Sequence, residues 1–149
     1  MDKDDYYLNL KSFEKLPGEI THLDADSFYN VLKSPAAMKL RGIVYLWRCE
    51  KDIPRLKGGS NIIYIGQTKN NIYGRYHNYA RYIHTKANSH KLGTILENYG
   101  PISVHIHEYT KFGPSLLKAE GQLLWWYFQN HCEYPPINYT QTRIRNDSL

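Results

Sequence analysis

Two short runs of β-branched and aromatic residues constrain the fold of this chain most strongly. Residues 42–48 and 61–67 are rich in Ile, Val, Tyr and Trp, which are the residues enriched in β-strands. The linker between the runs is rich in turn residues. The two runs therefore predict an antiparallel hairpin with a long loop. Because side chains alternate along a strand, Tyr45 and Tyr64 are expected close together on one face.

The rest of the pattern predicts helices and one more strand. Capping residues and helical spacing of apolar residues predict helices around 28–32, at 72–84, at 89–99 and at 115–131. Residues 102–108 alternate between apolar and polar side chains, as expected of a third strand with one buried face. A small three-stranded antiparallel sheet covered by helices satisfies this order, so the expected class is α+β.

The placement of charge indicates a surface for nucleic acid. The chain has 149 residues and a formal net charge of +5, which suits one domain with a single core. Lys and Arg are interleaved with tyrosines between residues 69 and 86, and Arg143 and Arg145 lie near the C-terminus. Cations that pair with phosphates, beside rings that stack on bases, are typical of such a surface. Many soluble proteins carry a similar net charge, so the inference depends on the placement.

Cysteine usage and hydropathy exclude several classes of protein. Cys49 and Cys132 are the only cysteines, and no CxxC pair occurs. This fits a reducing compartment and argues against a disulfide framework or a structural zinc site. The longest apolar run is far short of the roughly 18 residues that span a bilayer, and the acidic N-terminus does not have the pattern of a secretory signal. We therefore expect a cytoplasmic protein with no membrane partner.

One carboxylate lies in the middle of the most apolar helical face. Glu120 has leucines three and four positions away on both sides, and Tyr127 follows at i+7. Burying an unpaired charge is costly, so Glu120 requires a cationic partner or a metal ion. Beside the tyrosine pair and Arg75, a hard cation is favoured over a salt bridge, because it accepts few carboxylates and shares the phosphate. The expected ion is Mg²⁺, with Mn²⁺ as a substitute.

Phosphate chemistry accounts for the other polar groups near the hairpin. The guanidinium of Arg75 suits the extra negative charge of a pentavalent phosphate. Hydrolysis also requires a base for the attacking water, and a tyrosine can serve if Arg75, Lys69 and a metal lower its pKa from about 10. Tyr45 is favoured as the base and Tyr64 as the group that orients water or phosphate, although the pattern cannot separate the two. His77 is a competing base on another face of the helix.

These residues together resemble the signature of the GIY-YIG nuclease family. The first half of the signature corresponds to residues 42–45, Gly-Ile-Val-Tyr, and the second half to residues 64–66, Tyr-Ile-Gly. The first half departs from the family pattern because Val44 moves the tyrosine one place along the chain. The loop between the halves is also longer than usual in the family. The resemblance covers roughly residues 42–138.

The resemblance implies roles for further residues. The family places its metal-binding glutamate on the helix of Glu120, its arginine at the position of Arg75, and a tyrosine or histidine at the position of Tyr79. It closes with a Pro-rich turn that ends in asparagine, here Asn138, which supports the site. The gap between Glu120 and Asn138 is longer than in the family. The implied catalytic set is Tyr45, Tyr64, Lys69, Arg75, Tyr79, Glu120 and Asn138, with Glu120 as the metal ligand.

The resemblance also implies the fold and the reaction. The expected fold is an α+β sandwich like that of the GIY-YIG nucleases, with residues 1–41 as an N-terminal helical extension and residues 42–149 as the catalytic domain, in one compact unit. The expected function is a Mg²⁺-dependent endonuclease that hydrolyses double-stranded DNA. The absence of a recognisable appended DNA-binding module favours a type II restriction-type or phage-type enzyme, and a homodimer on DNA would cut both strands. The alternative is a non-catalytic nucleic-acid-binding module that retains the nuclease fold.

Overall fold

One antiparallel sheet of four strands organises the protein, in the order β1-β4-β2-β3. The description comes from a computed structural model and covers residues 3–85 and 88–138. The mixed α+β class predicted from the sequence is confirmed. The strands are β1 (Glu14–Lys15), β2 (Ile43–Pro54), β3 (Gly59–Thr68) and β4 (Ile102–Glu108), and the α-helices are α1 (Tyr6–Leu10), α2 (Ala25–Leu32), α3 (Pro35–Lys39), α4 (Ile72–Arg81), α5 (Ser89–Tyr99) and α6 (Leu116–His131).

The expectation of three strands is wrong by one, because β1 adds a fourth strand. It pairs antiparallel with β4, with Glu14 opposite Ile106. An isolated bridge between Ile20 and Ile102 continues this contact. Both residues of β1 are exposed, so the strand has no apolar alternation by which a sequence pattern could reveal it.

The expected long loop between the first two strands is also wrong, because most of it lies within β2 and β3. β2 continues to Pro54 and β3 begins at Gly59, with two irregularities in their register between Trp47 and Ile53. The turn is closed by a hydrogen bond from the Arg55 amide to the Gly58 carbonyl, at 2.9 Å. Gly58 has φ of +67°, a conformation that glycine adopts without strain. The polar composition of this segment is that of a solvent-exposed ribbon.

The two faces of the sheet are covered by different helices. On one face, Tyr45 and Trp47 belong to a core that includes residues of α2, α4 and α5. On the other face, Val44 and Leu46 belong to a core with residues of α1 and α6. This division follows from the alternation of side chains along β2, whose first five residues are all buried.

The segment before β2 contributes to both cores. Leu10 of α1 lies in the core with α6, and Phe28 of α2 lies in the core with α4 and α5. Leu16 donates its amide hydrogen to the Val104 carbonyl of β4 at 2.8 Å. Within the described residues, no helix combines the length and the apolarity needed to cross a membrane.

Candidate active site

The structure brings the two signature tyrosines together, as predicted. Tyr45 on β2 lies opposite Gly66 on β3, and Tyr64 lies opposite Trp47. Tyr45 and Tyr64 are therefore diagonal neighbours on one face, a spacing that aromatic side chains can bridge. Their rings are stacked, with centroids 6.1 Å apart and planes inclined by 26°.

Gly66 leaves the space that this ring pair occupies. A Cβ atom at Gly66 would lie 2.6 Å from both the Cζ and the hydroxyl oxygen of Tyr45, and 2.7 Å from Cε1 of Tyr64. Carbon atoms in good contact are about 3.5–4.0 Å apart, so any side chain here would displace the rings. Glycine is needed here because of this close approach.

The two tyrosines differ in their access to solvent. Tyr45 is 1% exposed, whereas Tyr64 is half-buried. Burial raises the pKa of Tyr45, and the nearby hydroxyl of Tyr64 raises it further. Arg75 and the hydrogen bond to Tyr76 lower it. The net result is a pKa well above the ordinary tyrosine value, so Tyr45 stays protonated at neutral pH. Tyr64 is therefore the member of the pair that offers its surface to a substrate.

Helix α4 supplies a third tyrosine that the sequence reasoning missed. The side chain of Asn71 caps the helix by accepting a hydrogen bond from the Gly74 amide at 2.7 Å. Ile72, Tyr76 and Ala80 form its buried stripe. The hydroxyl of Tyr76 lies 2.7 Å from the hydroxyl of Tyr45, in a buried hydrogen bond. The spacing of this stripe at i, i+4 and i+8 was the signal that could have identified Tyr76.

Arg75 lies at the outer edge of this cluster. Arg75 is exposed. Its Cζ lies 4.6 Å from the centroid of the Tyr76 ring, within the range of a cation–π interaction. Burial of part of the side chain lowers the pKa of Arg75, but Tyr76, Tyr45 and Tyr64 together raise it above its usual value. The guanidinium is thus a fixed cation beside the tyrosine pair.

Two other candidates lie farther from the pair. Tyr79 is half-buried, and its ring centroid lies 5.5 Å from that of Tyr76 and 6.4 Å from that of Trp47. It is therefore one ring removed from Tyr45. Lys69 is exposed and directly follows β3.

Arg143 and Arg145, predicted as part of the basic surface, lie outside the described residues.

Glu120 is buried, as the sequence predicted. It is 8% exposed and lies on α6 beside Ala119, with Leu123 and Leu124 also fully buried. Leu117 departs from the expected apolar face, since it is 49% exposed. The negative charge of Glu120 contributes to the raised pKa of Tyr45, although α6 belongs to the core on the other face of the sheet from the tyrosine pair.

Asn138 holds the free edge of β3 next to the site. Its side chain accepts a hydrogen bond from the Ile65 amide at 3.1 Å and donates one to the Ile65 carbonyl at 3.0 Å. The amide of Ile137 donates to the Ile63 carbonyl at 2.9 Å. These bonds satisfy three backbone groups of an edge strand that would otherwise lack partners. Asn138 thus fixes the backbone between Tyr64 and Gly66.

The single carboxylate of Glu120 fits one mode of metal binding. Within residues 3–85 and 88–138, no group of three or more His, Cys, Asp or Glu side chains is arranged to hold an ion. Mg²⁺ is often bound by one or two carboxylates, with water and substrate phosphates completing its octahedral coordination. A single buried carboxylate is compatible with that mode, and not with a metal site built wholly from protein ligands.

Comparisons of the chain with family models, with curated proteins and with solved structures find no match. The similarity to the GIY-YIG nucleases therefore remains a hypothesis based on the signature residues and their arrangement.

Proposed function

We propose that this protein is an endonuclease that hydrolyses phosphodiester bonds of double-stranded DNA with the aid of Mg²⁺, of the type II restriction type or the phage type. The observation that carries the proposal is the stacked pair of Tyr45 and Tyr64 with the cation of Arg75 beside it. The charge of the buried Glu120 also acts on Tyr45. A cation next to hydroxyl groups suits a phosphate whose negative charge grows during reaction.

The distribution of carboxylates supports a polyanionic partner. The chain contains no Asp or Glu between Asp26 and Glu50, and none between Asp52 and Glu97. These stretches include α3, α4 and the turns that flank them, and α3 packs against α4. Their exposed cations include Lys39, Arg41, Lys69, Arg75 and Arg81.

These five cations have no carboxylate partners within the part of the chain that the structure describes. A surface of unpaired cations attracts phosphates and makes binding depend strongly on salt. The side chain of Asn71 donates a hydrogen bond to the Met38 carbonyl at 2.9 Å, so the end of α3 is tied to the start of α4. The cationic surface is therefore continuous with the helix that carries Arg75.

The proposed reaction adds water across a phosphodiester. The attacking water gives up a proton to a base as its oxygen bonds to phosphorus, the bond to the leaving oxygen breaks, and the leaving oxygen takes up a proton. Tyr64 takes the role of the base that meets the attacking water, because it is half-buried whereas Tyr45 is only 1% exposed. This reverses the roles favoured from the sequence. Arg75 stabilises the charge of the pentavalent phosphate, and Lys69 attracts the DNA backbone.

Glu120 is the residue that would hold Mg²⁺. When bound, the ion would supply positive charge to the phosphate oxygens. The guanidinium of Arg75 orients the phosphate. Asn138 holds the β3 backbone in place, and the position of Tyr64 follows from that of the backbone. The protein contributes few ligands to the metal, because the substrate itself provides ligands in this mode of binding.

Plasmid cleavage tests the proposal. Supercoiled plasmid is incubated with the protein in Mg²⁺ or in chelator, and cleavage is expected only with Mg²⁺. Glu120→Gln, which is nearly isosteric, should abolish cleavage and leave DNA binding largely intact. Glu97→Gln is the matched control, since Glu97 is exposed on α5 and its loss should have no effect. Cleavage by Glu120→Gln at nearly the wild-type rate would remove the metal-ligand role. DNA binding without cleavage would favour the non-catalytic module.

The same experiment addresses the proposed homodimer. One chain carries one set of site residues, so cutting both strands requires two protomers or two successive events. A two-fold dimer matches the symmetry of a palindromic site. A dimer should give linear product with little nicked intermediate at saturating protein. Nicked circles at every concentration, from a protein that sediments as a monomer on DNA, would instead identify a nicking enzyme.

A further inference from the structure

Tyr76 is the residue in the site that the signature does not include, and its side chain is unusually constrained. It is 3% exposed, and rings surround it on several sides. The centroid of Tyr45 lies 5.6 Å away with the rings edge to face, and that of Trp47 lies 5.2 Å away. The ring of Phe28 lies at 5.6 Å. The position and tilt of Tyr76 are therefore fixed by packing.

The face of this fixed ring carries the guanidinium of Arg75. The separation of 4.6 Å between Cζ and the ring centroid is short for a cation–π contact, whose limit is about 6 Å. Within the described residues, Arg75 forms no salt bridge with a carboxylate. The ring of Tyr76 and a hydrogen bond to Tyr45, and not an anionic partner, therefore hold the cation in place.

The hydroxyl of Tyr76 makes a second connection, to Tyr45. A guanidinium has no acceptor, and the oxygen of Tyr45 is the one hydrogen-bond partner of the Tyr76 hydroxyl in the described residues. Either hydroxyl can donate the shared hydrogen, and in both cases the buried bond fixes the distance between the two oxygens.

We infer that Tyr76 is a positioning residue that holds Arg75 by its ring and the hydroxyl of Tyr45 by its own hydroxyl. This role rests on the proposed nuclease function, because it matters only if Arg75 meets the reacting phosphate. Tyr76 touches neither substrate nor metal. It acts by placing the cation before the substrate arrives, so that no reorganisation is required during reaction.

Two substitutions separate the two connections. Tyr76→Phe keeps the ring beneath Arg75 and removes the hydrogen bond to Tyr45, so kcat should fall only roughly 2- to 10-fold, the effect of one neutral hydrogen bond. Tyr76→Leu removes both connections, and kcat should fall about 100-fold, as expected when a catalytic group is misplaced by about 1 Å. KM should change little in either variant, because the cation remains present.

Tyr29→Phe is the matched control. The Tyr29 hydroxyl donates a hydrogen bond to the carbonyl of His77 on the same helix, at 3.0 Å. This control also loses one phenol that is bound to α4, but at a distance from the site. Its kcat should equal that of the wild type. A similar loss of kcat in Tyr29→Phe and Tyr76→Phe would overturn the inference, because the loss would then reflect general loosening of α4.

A second measurement does not depend on activity. In proton NMR of the free protein, the side-chain signals of Arg75 should be shifted upfield by the ring current of Tyr76. The shift should persist in Tyr76→Phe and disappear in Tyr76→Leu. If the shift is absent from the wild type, the positioning role is wrong. If the shift is present but no nucleic acid is cleaved under any condition, the nuclease function is wrong and the placement of Arg75 stands. Tyr76→Phe preserves nearly all of the packing, so it keeps the test decisive if Tyr76→Leu does not fold.

Discussion

Replacing Gly66 with alanine would place one methyl group between the two signature tyrosines. The added Cβ would lie 2.6–2.7 Å from atoms of Tyr45 and Tyr64, about 1 Å closer than normal carbon contacts. The ring of Tyr45 cannot retreat easily, because it packs against Tyr76 and is 1% exposed. Overpacking of this kind costs about 1–3 kcal/mol. A gain of about 0.4–1 kcal/mol from the stiffer unfolded chain offsets part of that cost.

The expected net effect of Gly66→Ala on the free energy of unfolding is a loss of about 1–2 kcal/mol, measured by urea denaturation. Gly93→Ala is the control. A Cβ at Gly93 would meet no atom within 4 Å, and an alanine inside a helix is about 0.8–1.0 kcal/mol more favourable than a glycine. The two substitutions should therefore change stability in opposite directions.

The same substitution should lower the rate of DNA cleavage. Displacing the hydroxyl groups by about 1 Å should cost roughly 100-fold in kcat, measured on a labelled duplex at saturating substrate with folded protein. DNA affinity should be retained, because the exposed cations of the surface are unchanged. A Gly66→Ala protein that is as stable and as active as the wild type would refute the reasoning, since the tyrosine pair would then tolerate the methyl group that the structure excludes.

Other substitutions test separate parts of the site. Arg75→Ala should lower kcat by about 100- to 1,000-fold in single-turnover assays with little loss of DNA affinity; a defect only in affinity would contradict this role. Tyr64→Phe should lower kcat more than Tyr45→Phe because Tyr64 has the accessible surface, and the opposite order would return the base role to Tyr45. Asn138→Ala should reduce the free energy of unfolding by about 2–4 kcal/mol through two lost backbone partners, with a smaller loss in Asn138→Asp, which keeps the acceptor. Burial, with neighbouring cations, lowers the pKa of His105 from 6.5 to about 4, so the unfolded chain takes up a proton before the native state does. Stability in wild-type denaturation curves should therefore fall as pH drops from 6.5 to 4, and less steeply in His105→Gln; equal slopes would exclude His105 as the cause.

The sequence predicted the sheet well where residues were both apolar and alternating. The limits of β4 at residues 102–108 agree with the alternation of its side chains. The outer half of the hairpin was missed because Glu50, Lys51 and Asp52 look like a loop. They lie within β2, at the irregularity in register that separates the two paired parts of the hairpin. The helix predicted at 72–84 ends at Arg81, and a 3₁₀ turn follows at Ile83–Thr85.

The site was predicted in part. The pairing of Tyr45 with Tyr64 and the burial of Glu120 follow from period-2 and period-3.6 patterns, and both are confirmed. The contact between Tyr45 and Tyr76 joins residues 31 positions apart, and no local pattern specifies such a contact. The difference in exposure between Tyr45 and Tyr64 depends on how the helices cover the sheet, which the strand pattern does not contain.

The contact of Asn138 with Ile65 also has a consequence for the order of folding. The two residues are 73 positions apart, and chains are synthesised from the N-terminus. The hairpin can therefore form while the edge of β3 is still bare. An uncovered strand edge is a template for pairing with another chain, so aggregation during synthesis is the hazard that this late segment removes. Weakening the Asn138 contact should thus lower soluble yield in cells before it lowers the activity of protein that has already folded.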